Sequence, residues 1–349
     1  MSVTESVVKK RIPVKRWIIL GLIALGAYAA FFGPSLLKPI SPVVVLPPEP
    51  TGLTIFGFEI TNTILATLIA DILLILMAIG AYRFVKRGNL VPGGFYNAFE
   101  TIVEFLWNSV EGSAGKWARR IFVIPATIFL LIFTANIVKL VPGFESIGRI
   151  KQVEEGTGYA PVKLLSIGSL NILSIDKGQP VKVQELESEG EASQTFEAET
   201  GLCTACEVVP FLRGSATDLN FTFALAVIAV VMTQVFGVWA FGLPYFEKFF
   251  QLRQLVSGGL FGLINFAVGL LEVILEFAKI LSFGFRLFGN IFAGALLLSI
   301  VGALTAVAVP PFLYLFEVFF GIIQAYVFFL LATVFISGAT VSHHGEEHH

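Results

Sequence analysis

Charge is what this sequence has least of. Of 349 residues only 14% are charged, whereas 56% are hydrophobic and the mean hydropathy is +0.83. Soluble domains average about 25% charged residues, so a chain of two or three soluble domains is excluded. Histidine is scarce as well. All four copies lie in the C-terminal tail SHHGEEHH, which leaves no ligand-like histidine cluster in the apolar part. There is no GxxxxGK[ST], no HExxH and no GxSxG, and the GSAGK of Gly112 to Lys116 is too short to cradle phosphates. The formal net charge of −2 gives no sign of a nucleic-acid partner. Soluble-enzyme chemistry therefore has no home here, and the residues call for no cofactor and no metal.

What the sequence does have is apolar runs of the ~20 residues that span a bilayer. The reading is an all-α polytopic membrane protein. It has five core membrane helices, an extra N-terminal hydrophobic segment, an inner amphipathic helix and a small β-containing outer lobe. Residues 1–33 carry a basic start (VVKKRIPVKR), an apolar run and Ala27-Tyr28-Ala29. They read as a signal peptide or as an extra membrane helix. Residues 34–142 hold a Pro-rich outer segment to Pro50 and two spans, Phe58 to Tyr82 and Ile121 to Leu140. Between the spans, Val91 to Gly112 sets Phe95, Phe99, Ile102, Val103 and Leu106 on one face and Asn97, Glu100, Glu104 and Asn108 on the other. That pattern is an interfacial amphipathic helix. Arg83, Lys86, Arg87, Lys116, Arg119 and Arg120 place this loop on the inner side. Lys139, at the far end of its span, is expected to snorkel to the headgroups. Asp71 lies mid-span, where an acid either works in function or bonds to a neighbouring helix.

Residues 143–215 are the one sizeable soluble segment, Glu-rich and expected outside. Val162 to Ile175 and Val181 to Leu186 look like strands, with Asp176-Lys177-Gly178 turning between them. Cys203-Thr204-Ala205-Cys206 holds the only cysteines. A CxxC can be a redox pair, half a zinc site or a disulfide. Without a second CxxC, and on an oxidising side, the disulfide reading is favoured. Residues 216–260 hold the third span, Leu219 to Leu243, and an inner loop marked by Lys248 and Arg253.

Residues 261–338 organise the chain. Phe261 to about Ala308 is apolar except for Glu272, Glu276, Lys279, Arg286 and Asn290, which fall within roughly 80° of one helix face. Some 48 residues make about 70 Å of helix, more than twice a ~30 Å hydrocarbon core. A hairpin would need turn signals near the middle, and the persistent polar face argues instead for one tilted helix. Pro310-Pro311 then turn the chain into an antiparallel partner, Phe312 to Gly338, carrying Glu317 and Gln324. Arg286 sits mid-run, where a permanent charge costs about 2.5 to 17 kcal/mol depending on the reference state. It needs a function. Residues 339–349 form an inner tail.

LSFGFRLFGNIFAG followed by GIIQAYVFFLLATVF resembles subunit a of the F-type ATP synthase membrane sector. ATDLNFT, VPGGFYNAFETIVEF and LLEVILEFAKILS extend the resemblance over roughly Thr61 to Ser337, outer insert excepted. The resemblance implies a non-catalytic stator subunit packed against a rotating ring of c subunits, alongside peripheral-stalk b subunits. Its setting would be the bacterial inner membrane, with the C-terminus cytoplasmic. It further implies two offset proton half-channels with Arg286 between them. Asn290, Glu317 and Gln324 match the outer half-channel, Asp218 and Asn220 its mouth, and Glu272 and Lys279 the inner half-channel. The chain departs by carrying Ala295 where many relatives have Glu or His, and Glu317 where others have His, which makes Glu317 the expected outer relay. A proton-coupled secondary transporter is the alternative, but such folds show internal repeats and none is visible here.

Overall fold

The computed structural model describes residues 48–55, 57–86, 94–141, 143–153, 157–167, 170–182, 203, 205–249, 259–304 and 309–341. It also describes helical positions Trp17, Leu20, Gly21, Ala24, Leu25 and Tyr28. The signal-peptide junction, the Pro-rich stretch to residue 47, the acidic residues 183–202 and the tail 342–349 lie outside the described residues.

The first described elements are strands β1 (Pro50–Ile55) and β2 (Phe58–Thr61), an antiparallel pair that reverses through Gly57, whose φ of 82° suits glycine. The first span therefore starts at Asn62 rather than Phe58. Asn62 is 1% exposed, and its amide donates to the Pro210 carbonyl while accepting from Glu49 N–H. Helix α1 (Asn62–Lys86) follows, and its seam of small residues, Ala66 and Ala70, is buried while Ile64, Leu68, Ile72, Ile75 and Leu76 stay exposed. Small residues let helix backbones approach closely.

Helix α2 (Phe95–Ala114) is the amphipathic one, shifted a few residues from the sequence reading, with Leu106 and Val110 buried. A four-residue turn, Ala118–Ile121, continues it. The chain then bends by 94° into α3 (Val123–Val138). A helix lying along an interface and one crossing it meet at about a right angle. Pro125 stands at the third position of α3, where the missing N–H does no harm.

The lobe contains β3 (Gly148–Gln152), β4 (Thr157–Ile167), β5 (Leu170–Lys182) and β6 (Cys206–Pro210), in spatial order β3-β6-β4-β5. β4 and β5 pair from Thr157↔Lys182 to Ile167↔Leu170, so the reversal falls between Ile167 and Leu170. Asp176-Lys177-Gly178 instead sits inside β5, where the register slips between Ile175 and Pro180. The polar Gly-containing triplet makes an irregularity within a strand, not the hairpin turn expected. Cys203 and Cys206 are joined by a disulfide with S–S 2.00 Å.

Helix α4 (Leu219–Phe241) begins at Asp218, whose Oδ1 accepts from Asn220 N–H at 2.8 Å, an N-cap. It ends at Gly242, φ 72°, before a short 3₁₀ segment, Leu243–Lys248. Helix α5 (Gly259–Leu304) runs 46 residues without a break, about 69 Å. Helix α6 (Pro310–Ala339) returns antiparallel. Phe283 meets Phe328 and Phe335, and Asn290 meets Gln324 further along. Among the described residues three helices, α1, α4 and α6, are each long and apolar enough to cross a membrane, and the bent α2–α3 pair makes up to a fourth. One buried cluster joins α2 to α6 through Leu106, Ile132, Ala226, Leu287, Phe328 and Phe329.

Candidate ion-translocation site

Arg286 lies on α5 with its side chain exposed, among exposed Leu281 and Phe285. Its Nη2 reaches Ser282 Oγ at 3.5 Å, and it makes no ion pair among the described residues. A guanidinium cannot shed its charge. It is thus a permanent cation on an apolar surface with no paired anion among the described residues.

Glu272, Lys279 and Ser282 share with Arg286 a cleft of about 300 Å³ roofed by Phe283, Leu331 and Phe335. The structure thus brings Glu272 and Lys279 together with Arg286. Lys279 Nζ donates to Glu276 Oε1 at 2.9 Å and lies 4.9 Å over the Phe335 ring. Glu276, part of the polar face but not singled out from sequence, is 8% exposed, and its Oε2 has no partner among the described residues. Lys248 adds a second cation, 3.6 Å from Glu276 Oε1 and 3.8 Å from Glu272 Oε1. Sequence position marked Lys248 only as an inner flank. No signal in a loop of mixed aromatic and charged residues tells that its lysine folds inward.

Glu317 on α6 is not a lone carboxylate. It pairs with Lys139 at 2.5 Å, and both side chains are buried, 9% and 4% exposed. This corrects the reading of Lys139 as a headgroup-snorkelling residue. The helix ends before it, and its ammonium turns to the Glu317 carboxylate of α6. Nearby, Asn136 Nδ2 donates to the Gly321 carbonyl at 3.3 Å, and a Cβ on Gly321 would stand 3.2 Å from Asn136 Cβ. Asn290 Nδ2 lies 3.5 Å from Gln324 Oε1, so these two also meet. Gln324 is 5% exposed, and its Nε2, like Asn136 Oδ1, has no partner among the described residues.

Asp218 and Asn220 stand apart from that group. They line a different cleft of about 300 Å³ with Thr63, Thr67 and Asp71, and neither Glu317, Gln324 nor Asn290 lines it. Asp218 is 5% exposed and accepts from Thr63 Oγ1 at 2.8 Å as well as capping α4. Structural bonds thus occupy both of its oxygens, while Asn220 is exposed. Nearby Arg213 has its pKa lowered by burial, against the raising pull of Glu145, Asp218 and Glu49.

With this geometry in hand, comparison with known proteins is informative. The sequence pattern of the family described as ATP synthase A chain matches residues 63–337. The chain is 27% identical over 291 residues to the ATP synthase subunit a, sodium ion specific, of Propionigenium modestum, covering 82% of this chain and 76% of that one. It is 23% identical over 273 residues to ATP synthase subunit a of Moorella thermoacetica, covering 78% and 88%. It is 26% identical over 301 residues to that of Mycobacterium tuberculosis, covering 83% and 90%. The match runs through every helix from α1 to α6, Arg286 included, and the chain belongs to the ATP synthase A chain family, the non-catalytic membrane subunits a of the Fo sector.

Proposed function

We propose that this chain is the proton-conducting stator of a rotary ATP synthase, offering two offset half-channels to a ring of c subunits with Arg286 between them. The observation that carries the reading is Arg286 itself, a permanent cation displayed on an apolar face with no carboxylate paired to it among the described residues. A partner must supply the anion. A carboxylate about 4 Å from the guanidinium gains on the order of 4 kcal/mol at an effective dielectric of 20. That attraction draws each deprotonated carboxylate to Arg286. The fixed positive charge also bars a proton from hopping straight between the channels. A proton must therefore board a carboxylate from one side and leave it on the other, and flow requires rotation.

The inner half-channel is the cleft holding Glu272 and Lys279. The outer half-channel runs past Glu317, Gln324 and Asn290, with Asp218 and Asn220 at its mouth. Lys139, missed from sequence, joins this outer set. Buried side-chain atoms without a partner among the described residues occur in both regions, Glu276 Oε2 in one and Asn136 Oδ1 and Gln324 Nε2 in the other. Each costs about 1–3 kcal/mol if dry, and a hydrated path would satisfy them. The chain sits in the bacterial inner membrane with residues 143–215 outside and the C-terminus in the cytoplasm. The peripheral-stalk b subunits hold it against the torque of the ring.

The test is ATP-driven proton uptake by inverted vesicles carrying the assembled complex. Arg286→Ala is expected to abolish uptake, and normal uptake by that variant would overturn the proposal. Sodium-independent uptake that a protonophore collapses identifies the ion as the proton, whereas protonophore-resistant 22Na⁺ uptake identifies sodium.

A further inference from the structure

The 3₁₀ segment Leu243–Lys248 is wedged between α4 and α5 with a glycine beneath it on each side. A Cβ on Gly237 of α4 would fall 2.2 Å from Tyr245 Cζ, and one on Gly269 of α5 would fall 2.6 Å from the Phe249 carbonyl oxygen. Neither helix can carry a side chain there unless the segment moves. Polar bonds pin the same segment. Tyr245 Oη donates to Gln234 Oε1 at 3.0 Å and accepts from Lys248 Nζ at 2.7 Å. Tyr245 is 7% exposed, and burial, reinforced by Glu276, pushes its phenol up to about 12, so it stays a neutral donor. The Lys248 ammonium also sits 4.2 Å from the Tyr245 ring centroid and 4.4 Å from that of Phe249.

This holds Lys248 at one place, beside two carboxylates of α5. Glu276 Oε1 is shared between Lys248 and Lys279, and Lys248 is the only ion-pair partner of Glu272 among the described residues. The groups facing Lys248 are Gln234 from α4, Glu272, Glu276 and Lys279 from α5, and Tyr245 from its own segment. Two carboxylates and two ammonium groups balance. Without Lys248 the group is net negative, and Glu272 loses the contact that orients it toward the Arg286 cleft.

We propose that Lys248, held by Tyr245 and Gln234, is a positioning residue of the inner half-channel that bridges Glu272 and Glu276 at the mouth of the cleft leading to Arg286. The inference rests on the half-channel reading above. A part-buried ion pair carries up to about 1 kcal/mol, or roughly a fivefold effect. In the assembled complex, Lys248→Met is therefore expected to slow ATP-driven proton uptake about two- to fivefold, with assembly intact. Lys248→Arg keeps the cation and restores pumping, which a purely space-filling role would not require. Gly237→Ala displaces Tyr245 while leaving Lys248 chemically unchanged, and is expected to reproduce the loss. A parental rate of proton uptake in Lys248→Met would overturn the inference, as would failure of Lys248→Arg to restore it. If Gly237→Ala does not assemble, Tyr245→Phe takes its place, since it removes the hydroxyl alone. Abolished pumping in Arg286→Ala beside normal pumping in Lys248→Met sinks this inference only. Normal pumping in Arg286→Ala sinks the half-channel reading beneath it.

Discussion

Replacing Lys139 by methionine would leave the Glu317 carboxylate buried with no counter-ion. The pair is enclosed, at 4% and 9% side-chain exposure, and its atoms are 2.5 Å apart. Breaking a buried ion pair from one side costs about 3–5 kcal/mol, because the remaining charge stays desolvated. Replacing both partners by neutral groups of similar shape is close to neutral, or stabilising by about 1–4 kcal/mol. A double-mutant cycle separates the two cases: Lys139→Met, Glu317→Gln, and the two together. A multi-helix membrane complex does not unfold as a two-state system, so the measure is the rate of thermal inactivation of the purified complex. Lys139→Met is expected to inactivate much faster than the parent. The double variant should return to within about tenfold of the parent in rate, a coupling of at least about 2 kcal/mol. Additive single effects, or a Lys139→Met variant as durable as the parent, would refute the claim that this pair is buried and mutually compensated. Pumping is a separate readout, and the double variant should remain slow in it if Glu317 serves the outer path.

Other outcomes follow from the same geometry. Arg286→Lys keeps a positive charge but loses the guanidinium fork and its permanence, so pumping should fall well below the parent in the vesicle assay. Gly321→Leu would drive a side chain into Asn136, whose Cβ stands 3.2 Å from the glycine's would-be Cβ. Overpacking of this kind costs about 1–3 kcal/mol, and reduced heat resistance of the complex should show it. Removing the Cys203–Cys206 disulfide opens a short loop worth about 2 kcal/mol by chain entropy; limited proteolysis of the lobe should quicken while pumping is unchanged. Because the folded Tyr245 holds its proton up to about 12 against an ordinary value near 10, its contribution to stability is intact below pH 10 and declines as pH rises from 10 to 12. An alkaline absorbance titration of parent against Tyr245→Phe should place the missing phenol at the high end of that range.

Helices were legible because their signals are local. The apolar run around Arg286 kept one polar face throughout, and that periodicity predicts the unbroken α5. The amphipathic pattern of α2 likewise needs no partner to be seen. What escaped depends on which side chains meet across distance. Lys139 and Glu317 are 178 residues apart, and nothing in the neighbourhood of either names the other. A lysine at a helix end looks the same whether it turns to water or to a buried acid. Lys248 was hidden for a related reason, since its position follows from Gly237 and Gly269 admitting the Tyr245–Phe249 segment. In the lobe, Asp-Lys-Gly is a strong turn signal, yet pairing of the flanking strand outweighed it and absorbed the triplet as a slip in register. Asp218 was assigned to a channel mouth from resemblance alone, while its bonds to Thr63 and to Asn220 N–H tie it first to the joint between α1 and α4.

The continuity of α5 has a mechanical consequence. Glu272 and Asn290 are 18 residues apart on one unbroken helix, so about 27 Å of hydrogen-bonded rod separates them. There is no proline, turn or gap between them to act as a joint. Glu272, Lys279, Arg286 and Asn290 therefore behave as marks on a single ruler, fixed in spacing and in angle. Such a rod cannot open one end while closing the other. If ions are handed over in steps, the stepping belongs to whatever slides past the ruler, and this chain supplies the fixed scale against which each step is counted.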